Sequence, residues 1–257
     1  MSLCYLFFFI LSSDFFSNEL DKLAKLKGID GCTQLIAVCD DHHSLLLSPI
    51  GHLFCTPHEI EKPTSNPYVL QHYSCTLQHI LNLVDVVKHI HSRNVIHRDL
   101  KIGNIFASSG DCHSVFVNDL GSAVILGDSA PFGGTLHFAS HSALASAVSR
   151  SPKQWNRSDD LESLVKVAFI FNSNPTVYSS LRSCSGPHDL LAFWKQLPLA
   201  WMSSVDIARS ADIDPADPYQ KLKHCLEALI MSISSSSLPL ATTTPPTAAA
   251  STTTTAP

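Results

Sequence analysis

The sequence predicts an α+β domain that is mostly helical, with its few strands near the start and one β-hairpin in the middle. Three observations carry this. Apolar residues recur at helical spacing over 74–92, from 159 onward and from 217 onward. Short apolar runs bounded by polar turns occupy 33–38, 44–47 and 105–117. The chain has 257 residues, of which 45% are hydrophobic, enough for one sizeable core.

The first 17 residues form an apolar leader. Leu3 to Leu11 (LCYLFFFIL) is uninterrupted and has the length of a signal-peptide core, but no Lys or Arg precedes it. It equally suits a buried strand, and it is too short to span a bilayer. Residues 18–27 (NELDKLAKLK) place Leu20, Leu23 and Leu26 at helical spacing, with Gly28 as a stop signal. The runs TQLIAV (33–38) and SLLL (44–47) read as strands around the polar turn Cys39-Asp40-Asp41-His42-His43, after which Pro49 and Gly51 break the pattern.

Over 74–92, Leu77, Ile80, Leu81, Val84 and Val87 share one helix face. The hairpin runs from Ile105-Phe106 through a Ser-Ser-Gly-Asp turn at 108–111 to Val115-Phe116-Val117, and a Gly- and Ser-rich loop follows to about residue 140. Asp159 reads as a helix N-cap, with Glu162 closing a capping box. The apolar stripe of that helix (Leu161, Leu164, Val165, Ala168, Phe169) is wide enough to bury it. A last helix starts at Asp217-Pro218, cap then first-turn proline, with Tyr219, Leu222, Leu226, Leu229 and Ile230 facing inward. From Ser232 the chain becomes a Ser/Thr/Pro/Ala tail that has too little apolar surface to fold, read as disordered and either a modified stalk or inert. There is no internal repeat.

Composition narrows the function classes. Seventeen basic residues against 22 acidic ones give a net charge of −5, which argues against a nucleic-acid partner bound through a broad basic surface. No apolar run reaches the roughly 20 residues of a membrane span, so no stable membrane insertion is expected. The eight cysteines are scattered and form no C-x-x-C pair, which points to a reducing, cytoplasmic setting. Secretion is the alternative if the leader is a signal peptide, and only then does the sequon Asn156-Arg157-Ser158 matter. The fourteen histidines suggest a metal site, but 39–43 reads as a solvated turn, and His89 and His91, two apart, lie on different helix faces. Trp155, Trp194 and Trp201 read as packing residues. No feature signals an oligomeric state.

The stretch with chemistry is Val95-Ile96-His97-Arg98-Asp99-Leu100-Lys101-Ile102-Gly103-Asn104-Ile105-Phe106. It follows a buried helix and precedes the hairpin, whose far end delivers Asn118-Asp119-Leu120-Gly121. Two carboxylates and a carboxamide are thereby expected to converge from separate loops. Asn104 and Asp119 offer hard oxygen ligands suited to Mg²⁺. Asp99 is free to accept a proton from a hydroxyl nucleophile. Lys101 can neutralise charge on a moving phosphoryl group.

This arrangement resembles the eukaryotic protein-kinase family. The H-R-D-L-K-x-x-N loop is complete, and N-D-L-G stands where D-F-G is usual. Gly134-Thr135-Leu136-His137-Phe138-Ala139-Ser140 and Arg157-Ser158-Asp159-Asp160-Leu161-Glu162-Ser163-Leu164 are similar to the substrate-acceptor segment and the central helix, in wording nearest the casein kinase I branch. The resemblance runs from about Asn18 to Ile230, with a partial N-lobe over 18–50 and a C-lobe over 51–231. It implies ATP- and Mg²⁺-dependent phosphoryl transfer to Ser/Thr of a protein substrate.

Carried over by residue, the resemblance makes Asp99 the catalytic base and Lys101 the γ-phosphate contact. Asn104 and Asp119 become the metal ligands, with Gly121 beside the nucleotide. It gives Asp160 the anchoring of the catalytic loop, Thr135 the bracing of Asp99 and Lys101, and Glu19 the place of the N-lobe helix glutamate. Leu47 takes the gatekeeper position, with Ser48 to Ile50 as the hinge behind adenine. Arg98 beside Asp99 suggests control by phosphorylation of Ser122, Ser129 or Thr135.

The pattern is incomplete at its start. No G-x-G-x-x-G occurs, and the first lysine, Lys22, already lies past Glu19. A truncated upper lobe is therefore expected, and a pseudokinase or interaction module without catalysis is the alternative reading. Lys101 and the Thr135 segment argue against a small-molecule phosphotransferase. Leu120 replaces the usual Phe, and Ser140-His141-Ser142 replaces A-P-E, so the glutamate that pairs with a buried arginine is expected to be missing.

Overall fold

The computed structural model describes residues 13–39, 44–49, 51–54, 75–108, 114–213 and 217–235. Most of the leader, the turn at 40–43, Ile50 and the tail beyond residue 235 lie outside them. Helix α1 (Ser13–Lys25) starts earlier than residue 18, reaching into the segment set apart as a leader. It buries Phe16, Glu19, Lys22 and Leu23. Strands β1 (Gln34–Cys39) and β2 (Ser44–Ser48) pair antiparallel, with a register shift between Leu35 and Ala37.

The expected break at Gly51 is instead the start of a strand. β3 (Gly51–Leu53) pairs antiparallel with β5 (Ile105–Ser108), which pairs with β6 (Val115–Val117). Glycine serves close approach here, because a Cβ at position 51 would sit 2.3 Å from the Ala107 carbonyl oxygen and 2.5 Å from the Phe116 ring.

Helix α2 (Leu77–Ser92) is capped by Thr76 and His79, and buries the predicted Ile80, Leu81, Val84 and Val87. It leads through β4 (Val95–Ile96) into the catalytic-type loop, and β4 pairs with β7 (Val124–Ile125). The long loop is braced further by β8 (Ser129–Ala130), which pairs with β9 (Lys153–Gln154). The rest is helical: α3 (His141–Ser149), α4 (Arg157–Phe171), α5 (Pro175–Ser183), α6 (Pro187–Trp194), α7 (Leu199–Arg209) and α8 (Pro218–Ser235).

Helix α4 is the hub. Every residue from Asp159 to Ile170 is buried, and α2, α3 and α7 pack around it. Its start corrects the sequence reading. The N-cap is Asn156, and Asp159 is the third helical residue, accepting the Asn156 N–H at 3.0 Å. Asp212 from the α7–α8 connection accepts the Arg157 and Ser158 N–H groups at 3.1 and 3.0 Å. These two carboxylates satisfy donors that a helix start otherwise leaves unpaired. At α8, Asp217 caps as expected, accepting from the Tyr219 and Gln220 amides, and all five predicted inward residues are buried. The three tryptophans are buried. Among the described residues, no helix is long and apolar enough to cross a membrane.

Candidate active site

Strand β4 is almost fully buried, so the residues after it emerge at a fixed point over α4. Asp160 holds them there, its two oxygens accepting the His97 amide at 2.7 Å and the Arg98 amide at 2.9 Å. Burial alone would push this carboxyl up, but the hydrogen bonds it accepts from His91 and from the His97 amide hold it below the usual range. The His97 ring packs inside and contacts the Asn118 carbonyl at 3.0 Å, tying this loop to the one that carries Asp119.

The predicted catalytic residues meet. Asp99 is 6% exposed. Its Oδ1 accepts the Thr135 amide at 2.7 Å, and its Oδ2 accepts Lys101 Nζ at 2.7 Å and Asn104 Nδ2 at 3.2 Å. Lys101 Nζ also donates to Thr135 Oγ1 at 2.9 Å, so one ammonium spans both loops. Gly134 makes this possible, with φ 92° and a backbone so close to the Arg98 carbonyl that a Cβ would sit 2.7 Å from it.

Asn104 Nδ2 donates to the Asp99 carbonyl at 2.9 Å and reaches Asp119 Oδ2 at 3.4 Å. The amide nitrogen thus faces both Asp99 and Asp119. Asn104 and Asp119 each carry a hard oxygen of the kind Mg²⁺ takes and stand side by side, so the residue types present fit that ion.

Further contacts at the site were not read from sequence. Asn18 Nδ2 donates to the Gly121 and Ala123 carbonyls at 2.8 and 3.0 Å, clamping the Asp119 loop to α1. Thr33 Oγ1 donates to the Val117 carbonyl at 2.9 Å. Neither residue belongs to a recognisable motif, and their partners are about a hundred residues away.

Glu19 is buried at 4% exposure, and among the described residues no lysine or arginine pairs with it. Burial and the nearby Asp119 charge raise its pKa to about 7, against the opposing pull of the Leu120 N–H. Leu47 is buried and Ser48 half-buried on β2, while Ile50 of the predicted hinge lies outside the described residues.

Arg98 donates to the Pro131 carbonyl at 2.6 Å and stacks over Trp155 at 4.2 Å, so its guanidinium is already engaged by the activation-type loop itself. Thr135 is turned to Lys101. An ion pair not read from sequence lies nearby: Glu162 accepts from the exposed Arg209, from Nε at 2.9 Å and Nη2 at 3.2 Å. Glu162 further accepts the His141 amide at 2.9 Å and pairs with buried Lys166. Asp159 accepts Ser140 Oγ and Ser142 Oγ at 2.5 and 2.6 Å, so carboxylates of α4 fasten the Ser140-His141-Ser142 segment.

The sequence profile of the protein kinase domain matches residues 13–160. The chain belongs to the protein kinase family. Among solved structures, this kinase domain is similar to the kinase PK-1 of the Cydia pomonella granulovirus, with 19% identity, 82% of this chain and 79% of that chain covered, and a TM-score of 0.56. That likeness shows the kinase fold. No curated protein matches the chain in sequence.

Proposed function

We propose that this kinase domain transfers a phosphoryl group from ATP, with Mg²⁺, to Ser or Thr of a protein substrate. The observation that carries the reading is the closed cluster of Asp99, Lys101, Asn104 and Thr135. Bound Mg-ATP supplies the phosphoryl group and the cation that offsets its charge. Asp99 is fixed by donors on both oxygens, yet each carboxylate oxygen has two lone pairs, so one remains to take the proton of an acceptor hydroxyl. Lys101, held between Asp99 and Thr135, places a positive charge beside that hydroxyl's path. Lysine two residues after the base supports Ser/Thr as acceptor. Asn104 and Asp119 would hold the ion.

The test is incorporation of labelled phosphate into casein by the purified full chain, which Asp99→Asn should reduce by about 10²–10⁴-fold. A second reading, an interaction module of the same fold without catalysis, is favoured by Glu19, a buried carboxylate with which no lysine or arginine among the described residues pairs. Thermal unfolding with and without Mg-ATP separates the two. Stabilisation at sub-millimolar nucleotide with transfer supports the kinase, whereas no shift and no transfer supports the module.

A further inference from the structure

Asp160 holds the backbone just before Asp99, but its own orientation has a source on the far side of the domain. His91, at the end of α2, is 1% exposed. Its Nε2 lies 2.9 Å from Asp160 Oδ2, and its Nδ1 lies 2.8 Å from the hydroxyl of Tyr219 on α8. The two rings are 5.8 Å apart and tilted by 55°. Tyr219 is itself buried, which pushes its hydroxyl pKa up and keeps the proton on it.

Hydrogen-bond bookkeeping fixes the direction of this chain. An ionised carboxylate only accepts, so His91 Nε2 must carry a hydrogen. In a neutral imidazole Nδ1 is then an acceptor, and the Tyr219 O–H is the donor that satisfies it. The carboxylate therefore fixes the tautomer, the Tyr219 hydroxyl holds the ring in place through Nδ1, and the ring in turn holds the carboxylate that pins the His97 and Arg98 amides. Arg98 needs that pin, because it sits at φ 68°, where a residue other than glycine is disfavoured unless its surroundings impose it.

We propose that Tyr219 and His91 are positioning residues for Asp99, and that helix α8 sets the catalytic loop through the hydrogen-bonded chain Tyr219–His91–Asp160. The activity arm of the test rests on the proposed phosphoryl transfer, whereas the exchange and spectroscopic arms do not.

Tyr219→Phe keeps the ring and removes one hydroxyl. In the full chain, amide hydrogen exchange at His97 and Arg98 should accelerate by about tenfold or more, while amides in the middle of α4 keep their protection. The ¹⁵N spectrum of His91 should keep its Nε2–H, because Asp160 still accepts it, while the Nδ1 resonance shifts as it loses the donor from Tyr219. Transfer to casein should fall about tenfold in kcat, with KM for ATP within about twofold. A uniform loosening of α2, α4 and α8 would overturn the proposal, because it marks a merely structural hydroxyl. Unchanged exchange at both amides would overturn it too. If the wild-type chain transfers no phosphate, the proposed function fails, and the exchange result still decides the chain of hydrogen bonds. If Tyr219→Phe does not fold, His91→Gln carries the test. Its side-chain N–H replaces the donor to Asp160, so exchange at both amides should stay within about threefold of wild type, and tenfold loosening would overturn the proposal.

Discussion

Replacing Glu19 by glutamine removes a carboxylate that the fold holds in an unfavourable place. The side chain is buried, Asp119 repels its charge, and the Leu120 N–H is the one described group that favours ionisation. Its pKa rises from 4.5 to about 7 on folding. The folded state therefore keeps a proton that the unfolded chain has already lost. Stability from the protonated form is complete below about pH 4.5 and is lost as pH rises through about 7. At 1.36 kcal/mol per pH unit this displacement is worth about 3 kcal/mol.

Glutamine can still accept from Leu120 and has nothing to titrate. The two proteins should thus match near pH 4 and diverge towards pH 8, where Glu19→Gln is the more stable by about 3 kcal/mol, or about 6–12 °C in Tm for a domain of this size. Urea midpoints in EDTA at half-unit pH steps read this directly, with unchanged m-values confirming that only stability moved. Millimolar Mg²⁺ should narrow the gap by offsetting the charge on Asp119. Parallel curves across pH 4–8, or a variant less stable than wild type at pH 8, would refute the electrostatic argument.

Other outcomes follow from the packing around α4. Leu164 is fully buried, so Leu164→Ala should cost about 2–5 kcal/mol in urea unfolding. Glu162→Gln leaves Lys166 buried without its carboxylate and should cost about 3–5 kcal/mol at pH 7. Because the Glu162 pKa is lowered on folding, that cost should fade as pH drops below the ordinary carboxylate range, which the same urea series measures. Since Arg98 is already engaged by Pro131 and Trp155, phosphatase treatment should leave transfer to casein unchanged, and a fall of more than about threefold would show that a phosphate on the loop matters.

The loop that carries Asp99 was legible because its candidate residues lie in one contiguous stretch: Asp99, Lys101 and Asn104 fall within six residues, and the hairpin after them fixes where Asp119 returns. The helix start at α4 was legible only in part. N-R-S-D-D-L-E contains two overlapping cap patterns, Asn156 with Asp159 and Asp159 with Glu162, and local propensity does not choose between them. Tertiary partners choose. Ser140, Ser142 and Lys153 converge on Asp159, while Arg209, Lys166 and the His141 amide take Glu162. The same cause hid the Glu162–Arg209 pair, because ion pairing is settled in space and not by sequence neighbours. Helix α3 (HSALASAVS) carries few large apolar residues to show a period, and its place comes from the Ser140 cap and packing on α4 and α6.

His91 shows the limit most clearly. Periodicity separates it from His89, but nothing local names its partners, which lie 69 and 128 residues away. Glu19 makes the complementary point. Resemblance assigned it a role defined by a lysine that the sequence does not supply. Its place beneath Asp119 gives it a different physical character, that of a carboxylate whose charge state follows pH and whatever cation sits at the neighbouring oxygens. Which of those two characters governs the domain is a question about Glu19 itself, and its titration answers it before any substrate is known.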